Sequence, residues 1–122
     1  MNKLTLTLGV AVYAVLGPAG QAADIYTPGE PARGNFKNFA VEFLDSHCLD
    51  CHDNETKKGN LSLEDLGPVD ETNAATWKSI WAQVTLQEMP PKKKSQPEIV
   101  GRLRFSDWIV SELKREMAGK GG

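Results

Sequence analysis

Residues 47–52 read His47-Cys48-Leu49-Asp50-Cys51-His52, and the interpretation of the whole chain turns on them. Cys48 and Cys51 are the only 2 cysteines among 122 residues, and a histidine directly follows the second. Two thiols three positions apart lie on one turn of helix, so each can add across one of the two vinyl groups of a porphyrin. His52 then falls under the iron and offers an imidazole nitrogen as proximal ligand. The spacing therefore predicts one covalent haem c, attached at Cys48 and Cys51, with His52 on the metal.

Three other uses of these residues stay open at this level. Thioredoxin-like redox pairs share the Cys-x-x-Cys spacing, but they sit in a strand–helix alternation that this sequence lacks. Structural zinc takes four ligands, and the only other histidine, His47, lies within the same short stretch. Such a stretch is too short to wrap a tetrahedron alone. A plain disulfide in an oxidising compartment is the third use.

The flanks describe one small exported domain. Residues 1–23 read as a signal peptide: Lys3 gives a positive start, Leu4 to Leu16 an apolar run, and Gly20, Ala22 and Ala23 small residues for cleavage. That run is short for a bilayer span; retention as an uncleaved anchor is the competing reading. Cleavage leaves a mature chain with no expected membrane span, periplasmic or otherwise exported. Export agrees with the cysteine motif, because bacterial c-type haem is attached outside the cytoplasmic membrane.

Residues 24–35 carry Pro28, Gly29, Pro31 and Gly34 and read as an N-terminal arm. The main domain is expected over 36–118, followed by a flexible tail over 119–122. Phe36, Phe39, Ala40, Phe43 and Leu44 recur at helical spacing, so a first helix should carry Cys48 and Cys51 on its last turn. Ser62-x-x-Asp65 resembles a capping box opening a brief helix, with Leu61, Leu63 and Leu66 turned toward the haem. A further helix fits 73–87, capped by Asn73, with Trp77, Ile80, Trp81 and Val84 as its apolar stripe. Pro90 ends it by forcing Met89 out of the helical region. Pro97 opens a last helix to Met117, with Ile99, Val100, Leu103, Trp108, Ile109 and Leu113 as its buried side. No alternating strand pattern occurs. The expected fold class is all-α, three to four helices around one haem.

Met89 is the candidate for the second axial ligand. Met1 falls in the leader and Met117 near the end of the last helix, whereas Met89 leaves a helix and meets two prolines. Prolines restrict the neighbouring backbone, which aims the thioether at little cost in ordering entropy. The competing use is a gap-filling core methionine. The 37 positions between His52 and Met89 let the chain pass around a porphyrin edge. Trp77 and Trp81 are candidates for haem packing or a propionate contact, against the plainer use as core. His52 should donate its other ring N–H to a backbone carbonyl within residues 53–68.

With these residues in hand, the chain resembles a class I cytochrome c, most closely the planctomycete-type cytochrome c domains. The resemblance rests on His47 to His52, on Lys57-Lys58-Gly59-Asn60-Leu61-Ser62-Leu63, on Trp77 and Trp81, on Glu88-Met89-Pro90-Pro91-Lys92, and on Trp108-Ile109. It implies a small cytochrome c fold with crossed first and last helices, in which Ala40 and Leu44 meet the 103–108 face. It also implies thioether links at Cys48 and Cys51, His52 proximal and Met89 distal. Domains of this type commonly occur inside much larger proteins, whereas this chain ends soon after its last helix, and a free-standing version implies a diffusible carrier.

The expected function is single-electron transfer between periplasmic redox proteins, without enzymatic chemistry. A five-coordinate haem enzyme or gas sensor is the alternative, and a haem-free interaction module with a Cys48–Cys51 disulfide is a third class. Residues 24–91 carry 5 basic and 12 acidic side chains, and residues 92–120 carry 8 and 4. Such a dipole orients a molecule in a partner's field, although an uneven solvated surface reads the same way. Lys92, Lys93 and Lys94 are candidates for docking a donor dehydrogenase or an acceptor cytochrome or oxidase; a solvated loop is the alternative. A net charge of −2, together with export, argues against nucleic acid.

Overall fold

The computed structural model describes residues 26–28 and 35–120. The expected signal peptide and most of the arm lie outside the described residues. Among those described, the chain is helical and has no strand. Helix α1 (Val41–His47) follows a wider π-helical turn, Phe36–Ala40, and a short helix α2 (Leu49–His52) follows α1. Helix α3 spans Ala74–Thr85 and helix α4 spans Ile99–Lys120. Asn35 starts the first turn by accepting from the Asn38 amide at 3.0 Å, which satisfies one of the free N–H groups of a helix start.

The core is built around a cluster of aromatic rings. Trp77, Phe105 and Ile109 are its largest fully buried side chains, joined by Ala40, Phe43, Leu44, Leu63, Ile80, Val84 and Trp108. Phe43 stacks on Phe105 with ring centroids 3.9 Å apart, and Phe39 meets Phe105 and Trp108. Phe39 and Phe43 therefore hold the first helical segment against the 105–108 part of α4, with ring contacts adding to the area buried. Helix α3 packs along α4, where Thr85 Oγ1 and Ser106 Oγ share a hydrogen bond of 3.1 Å.

Several expectations need correction. The first helix does not run unbroken into the cysteine motif: Cys48 leaves the helical region (φ −124°, ψ −42°), and α2 starts afresh. No helix forms at Ser62, whose hydroxyl donates to Asn54 Oδ1 at 2.6 Å and accepts from the Glu64 amide at 3.4 Å, tying the loop together. Helix α3 ends at Thr85, before Gln87, which takes a left-handed φ of 59°. Asn73 does stand at its start, but its side chain serves the preceding loop, donating to Gly67 O and Pro68 O.

In α4 the expected buried side holds at Trp108 and Ile109 but fails nearer the start: Ile99 is 76% and Leu103 38% exposed, while Arg102, Phe105 and Ser106 are buried instead. The helix also passes Gly119 to Lys120. There Lys120 Nζ lies 3.5 Å from Glu116 and 3.6 Å from Glu71; residues 121–122 of the expected tail lie outside the described residues. No helix of the described residues is long and apolar enough to cross a membrane. Tyr26 fastens the remainder of the arm to α4 by donating to Asp107 Oδ2 at 2.7 Å.

Candidate functional site

One cavity of about 710 Å3 gathers the residues that the sequence singles out. His47, Cys48, Cys51 and His52 line it from the α1–α2 segment, Leu61 and Leu63 from the loop, and Met89 with Pro90 and Pro91 from the exit of α3. Ile80 and Val84 add apolar wall from α3 itself. This volume lies within the roughly 300–1,000 Å3 of small-molecule and cofactor pockets.

Cys48 and Cys51 are both free thiols and half-buried. Burial pushes the Cys48 thiol up to about 12. Thiol–disulfide exchange works through a lowered pKa, so this environment opposes thioredoxin-type chemistry and favours a neutral sulfur. Among the described residues, no three His, Cys, Asp or Glu side chains group as a site for a metal ion. The ligands of a structural zinc site are not assembled around the motif.

His52 is oriented by the loop that follows it. Its Nδ1 lies 3.2 Å from the Leu61 carbonyl. A carbonyl only accepts, so Nδ1 carries the hydrogen and Nε2 keeps the lone pair that binds a metal. The carbonyl expected somewhere in residues 53–68 is thus that of Leu61. Gly59 (φ 62°) and Asn60 (φ 57°) take the left-handed conformation just before it, and the Leu63 amide donates to His52 O at 2.6 Å. Asn54 and Ser62 brace the same loop: the Asn54 amide donates to Glu64 Oε2 at 2.8 Å, and its side-chain NH2 to Asp65 Oδ2 at 2.9 Å.

Met89 is held from two helices. Its amide donates to Gln83 O of α3 at 3.2 Å, and its carbonyl accepts from Arg102 Nη1 of α4 at 2.8 Å. The same Nη1 reaches Val84 O at 3.0 Å, and Nη2 reaches Gln96 Oε1 at 2.7 Å. Gln96 Nε2 in turn donates to Pro90 O, Pro91 O and Lys94 O. The sequence reading credited the prolines alone and missed Arg102 and Gln96. A signal was present: Arg102, Phe105, Ser106 and Ile109 fall on one helical stripe, and a buried arginine must be hydrogen-bonded.

Trp77 and Trp81 do not line the cavity. Trp77 is fully buried and its indole N–H is taken by Gly67 O at 3.1 Å. Trp81 stands 37% exposed, since it turns roughly 100° from Ile80 around the helix and leaves the buried stripe. His47 does line the cavity, with its ring 4.7 Å from that of Phe43. Burial, and then the charge of Arg102, lower its pKa. Lys92, Lys93 and Lys94 are all exposed, and Lys94 also borders the cavity.

The donor set fits a porphyrin with an axially bound metal: two thiols for attachment, one imidazole nitrogen and one neutral thioether, on the wall of one cavity. Residues 48–93 match the family model described as Planctomycete cytochrome C. The matched stretch holds both cysteines, His52 and Met89, and ends within the lysine run. No curated protein and no solved structure matches the chain.

Proposed function

We propose, from the premise that residues 48–93 are a planctomycete-type cytochrome c domain, that this protein is an exported mono-haem c-type cytochrome that carries single electrons. One observation carries the reading: Cys48, Cys51 and His52 share a cavity with Met89, 37 positions later in the chain. Bound there, haem c would supply one-electron exchange at its iron.

The chain's own residues would do the rest. Cys48 and Cys51 would hold the group by thioether bonds. His52, fixed by the Leu61 carbonyl, would present Nε2 as proximal ligand. Met89 would present a soft, neutral sulfur, which favours the ferrous state and so raises the potential. Two protein ligands leave no position for oxygen, peroxide or substrate, and this suits a carrier rather than an enzyme. Lys92, Lys93 and Lys94 lie beside Met89 in the chain and would meet an acidic surface on a redox partner outside the cytoplasm.

The test is the visible spectrum of exported protein from a host competent in cytochrome maturation. Haem that survives denaturation, with a low-spin ferric spectrum and a weak thioether-to-iron charge-transfer band, is the expected result. Met89→Ala should abolish that band and lower the midpoint potential. A colourless protein would remove the haem reading. A high-spin ferric form, or ready binding of carbon monoxide by the reduced wild type, would move the protein to the five-coordinate enzyme or sensor class.

A further inference from the structure

Arg102 is a buried cation that no carboxylate meets among the described residues. It is 8% exposed, and its hydrogen bonds go to Val84 O, Met89 O and Gln96 Oε1. It lies outside both the cavity wall and the segment matched to the family model. Burying a guanidinium is costly unless its donors are satisfied, so the surrounding fold is arranged to receive it. What it satisfies is specific: a carbonyl in the last turn of α3, which also accepts from the Gln87 amide at 3.2 Å, and the carbonyl of Met89 beyond the helix end.

Gln96 extends this arrangement. It accepts from Arg102 through Oε1 and donates through Nε2 to three carbonyls of the 90–94 segment. Met89 therefore has its N–H fixed by α3 and its C=O fixed by α4, and the loop beyond it is drawn back toward the same guanidinium. A lysine would supply a charge but not the flat fork that reaches two separate groups at once.

We infer that Arg102, through the Met89 carbonyl and Gln96, is the positioning residue that keeps the Met89 thioether directed into the cavity. The inference rests on Met89 as an iron ligand and deepens that reading. Without the clamp, the 89–94 loop opens more often, and an exogenous ligand competes for the iron in proportion to the open fraction. Hydrogen bonds from a charged donor are each strong enough to shift such an opening about tenfold.

The experiment compares haem-loaded wild type, Arg102→Leu, Gln96→Ala and Met89→Ala. Two readouts serve: the ferric thioether-to-iron charge-transfer band, and the Kd for added imidazole. Arg102→Leu should weaken the band and tighten imidazole binding by about tenfold or more, at unchanged helix content. Gln96→Ala should act in the same direction by about threefold. A band and an imidazole Kd within about twofold of wild type in Arg102→Leu, while Met89→Ala loses the band, overturns the inference and leaves the ligand reading intact. A wild type without the band, or a Met89→Ala variant that keeps it, removes the ligand reading and this inference with it. If Arg102→Leu does not accumulate folded, Gln96→Ala decides alone, because Gln96 is exposed: tighter imidazole binding supports the clamp, and an unchanged Kd overturns it.

Discussion

Trp77 and Trp108 offer a controlled comparison, because both are buried indoles in one aromatic core, with ring centroids 5.4 Å apart. They differ in the fate of the N–H. Trp77 Nε1 donates to Gly67 O at 3.1 Å, whereas Trp108 Nε1 is buried with no partner among the described residues. Substituting either by phenylalanine removes the same atoms and leaves a similar void, costing about 1–2 kcal/mol in each case. In Trp77→Phe a hydrogen bond worth about 1 kcal/mol is lost as well. Gly67 O still accepts from Asn73 Nδ2 at 3.3 Å, so it is not orphaned. In Trp108→Phe the change removes an unsatisfied donor and recovers about 1–3 kcal/mol. Trp77→Phe should therefore be less stable than Trp108→Phe by about 2–4 kcal/mol, and Trp108→Phe should lie close to wild type. Urea unfolding of the haem-loaded proteins, followed by far-UV circular dichroism, separates the two by about 1 M or more in midpoint at equal slope. Coincident midpoints, or Trp108→Phe as the weaker variant, would refute the assignment of the two N–H groups.

Three further outcomes follow from individual residues. Gln87 holds a φ of 59°, which disfavours any residue with a Cβ. Gln87→Gly should raise thermal stability by about 0.5–1 kcal/mol, and a lowered melting temperature would contradict that backbone geometry. Asp53 and Asp70 are held below the usual carboxylate range, Asp53 chiefly by the Thr56 amide and Asp70 chiefly by the Thr72 hydroxyl. Their contribution is whole above the unfolded pKa and is lost as pH falls through the depressed one. Asp53→Asn and Asp70→Asn should thus be less stable than wild type at pH 6 and equal to it near pH 2; a difference that persists in acid would count against these turns. Replacing Lys92, Lys93 and Lys94 together by glutamine should slow reduction by an acidic partner and flatten its salt dependence, and stopped-flow rates that stay unchanged would discard the docking role.

The parts of the site that were legible in the sequence are those whose geometry is local. Cys48, Cys51 and His52 sit within one turn, so spacing alone brings them together, and their cavity position follows. Trp77, Ile80 and Val84 also behaved as periodicity required, because each lies on a stripe that only the core can cover. Helix α4 is legible only in part, for a physical reason. Counting apolar residues finds Trp108 and Ile109 but also favours the exposed Ile99 and Leu103, and it passes over Arg102, Phe105 and Ser106 on the same buried line. Two polar members of that line are satisfied by partners 13 to 21 positions away, Val84, Met89 and Thr85, and no window of local sequence contains them. No helix opens at Ser62 either: its hydroxyl donates to Asn54 Oδ1, 8 positions earlier, and accepts only a local 3.4 Å bond from the Glu64 amide.

This division between local and distant determinants bears on how the two proposed axial ligands are held. The proximal side is nearly self-contained: His52 and the carbonyl that orients it lie 9 residues apart. The distal side is not, for Met89 borrows α3 for its N–H and α4 for its C=O. A chain ending at Lys93 would keep both cysteines, His52 and Met89, but would lose Gln96, Arg102, Phe105, Trp108 and Ile109. It would lose with them both the clamp on Met89 and the aromatic surface on which Phe39 and Phe43 pack. Attachment chemistry can be specified by a short motif; a fixed thioether needs the tertiary fold. If Met89 ligates iron as proposed, the strength of that bond should therefore report on α3–α4 packing, while the hydrogen bond that orients His52 should depend on the 53–63 loop.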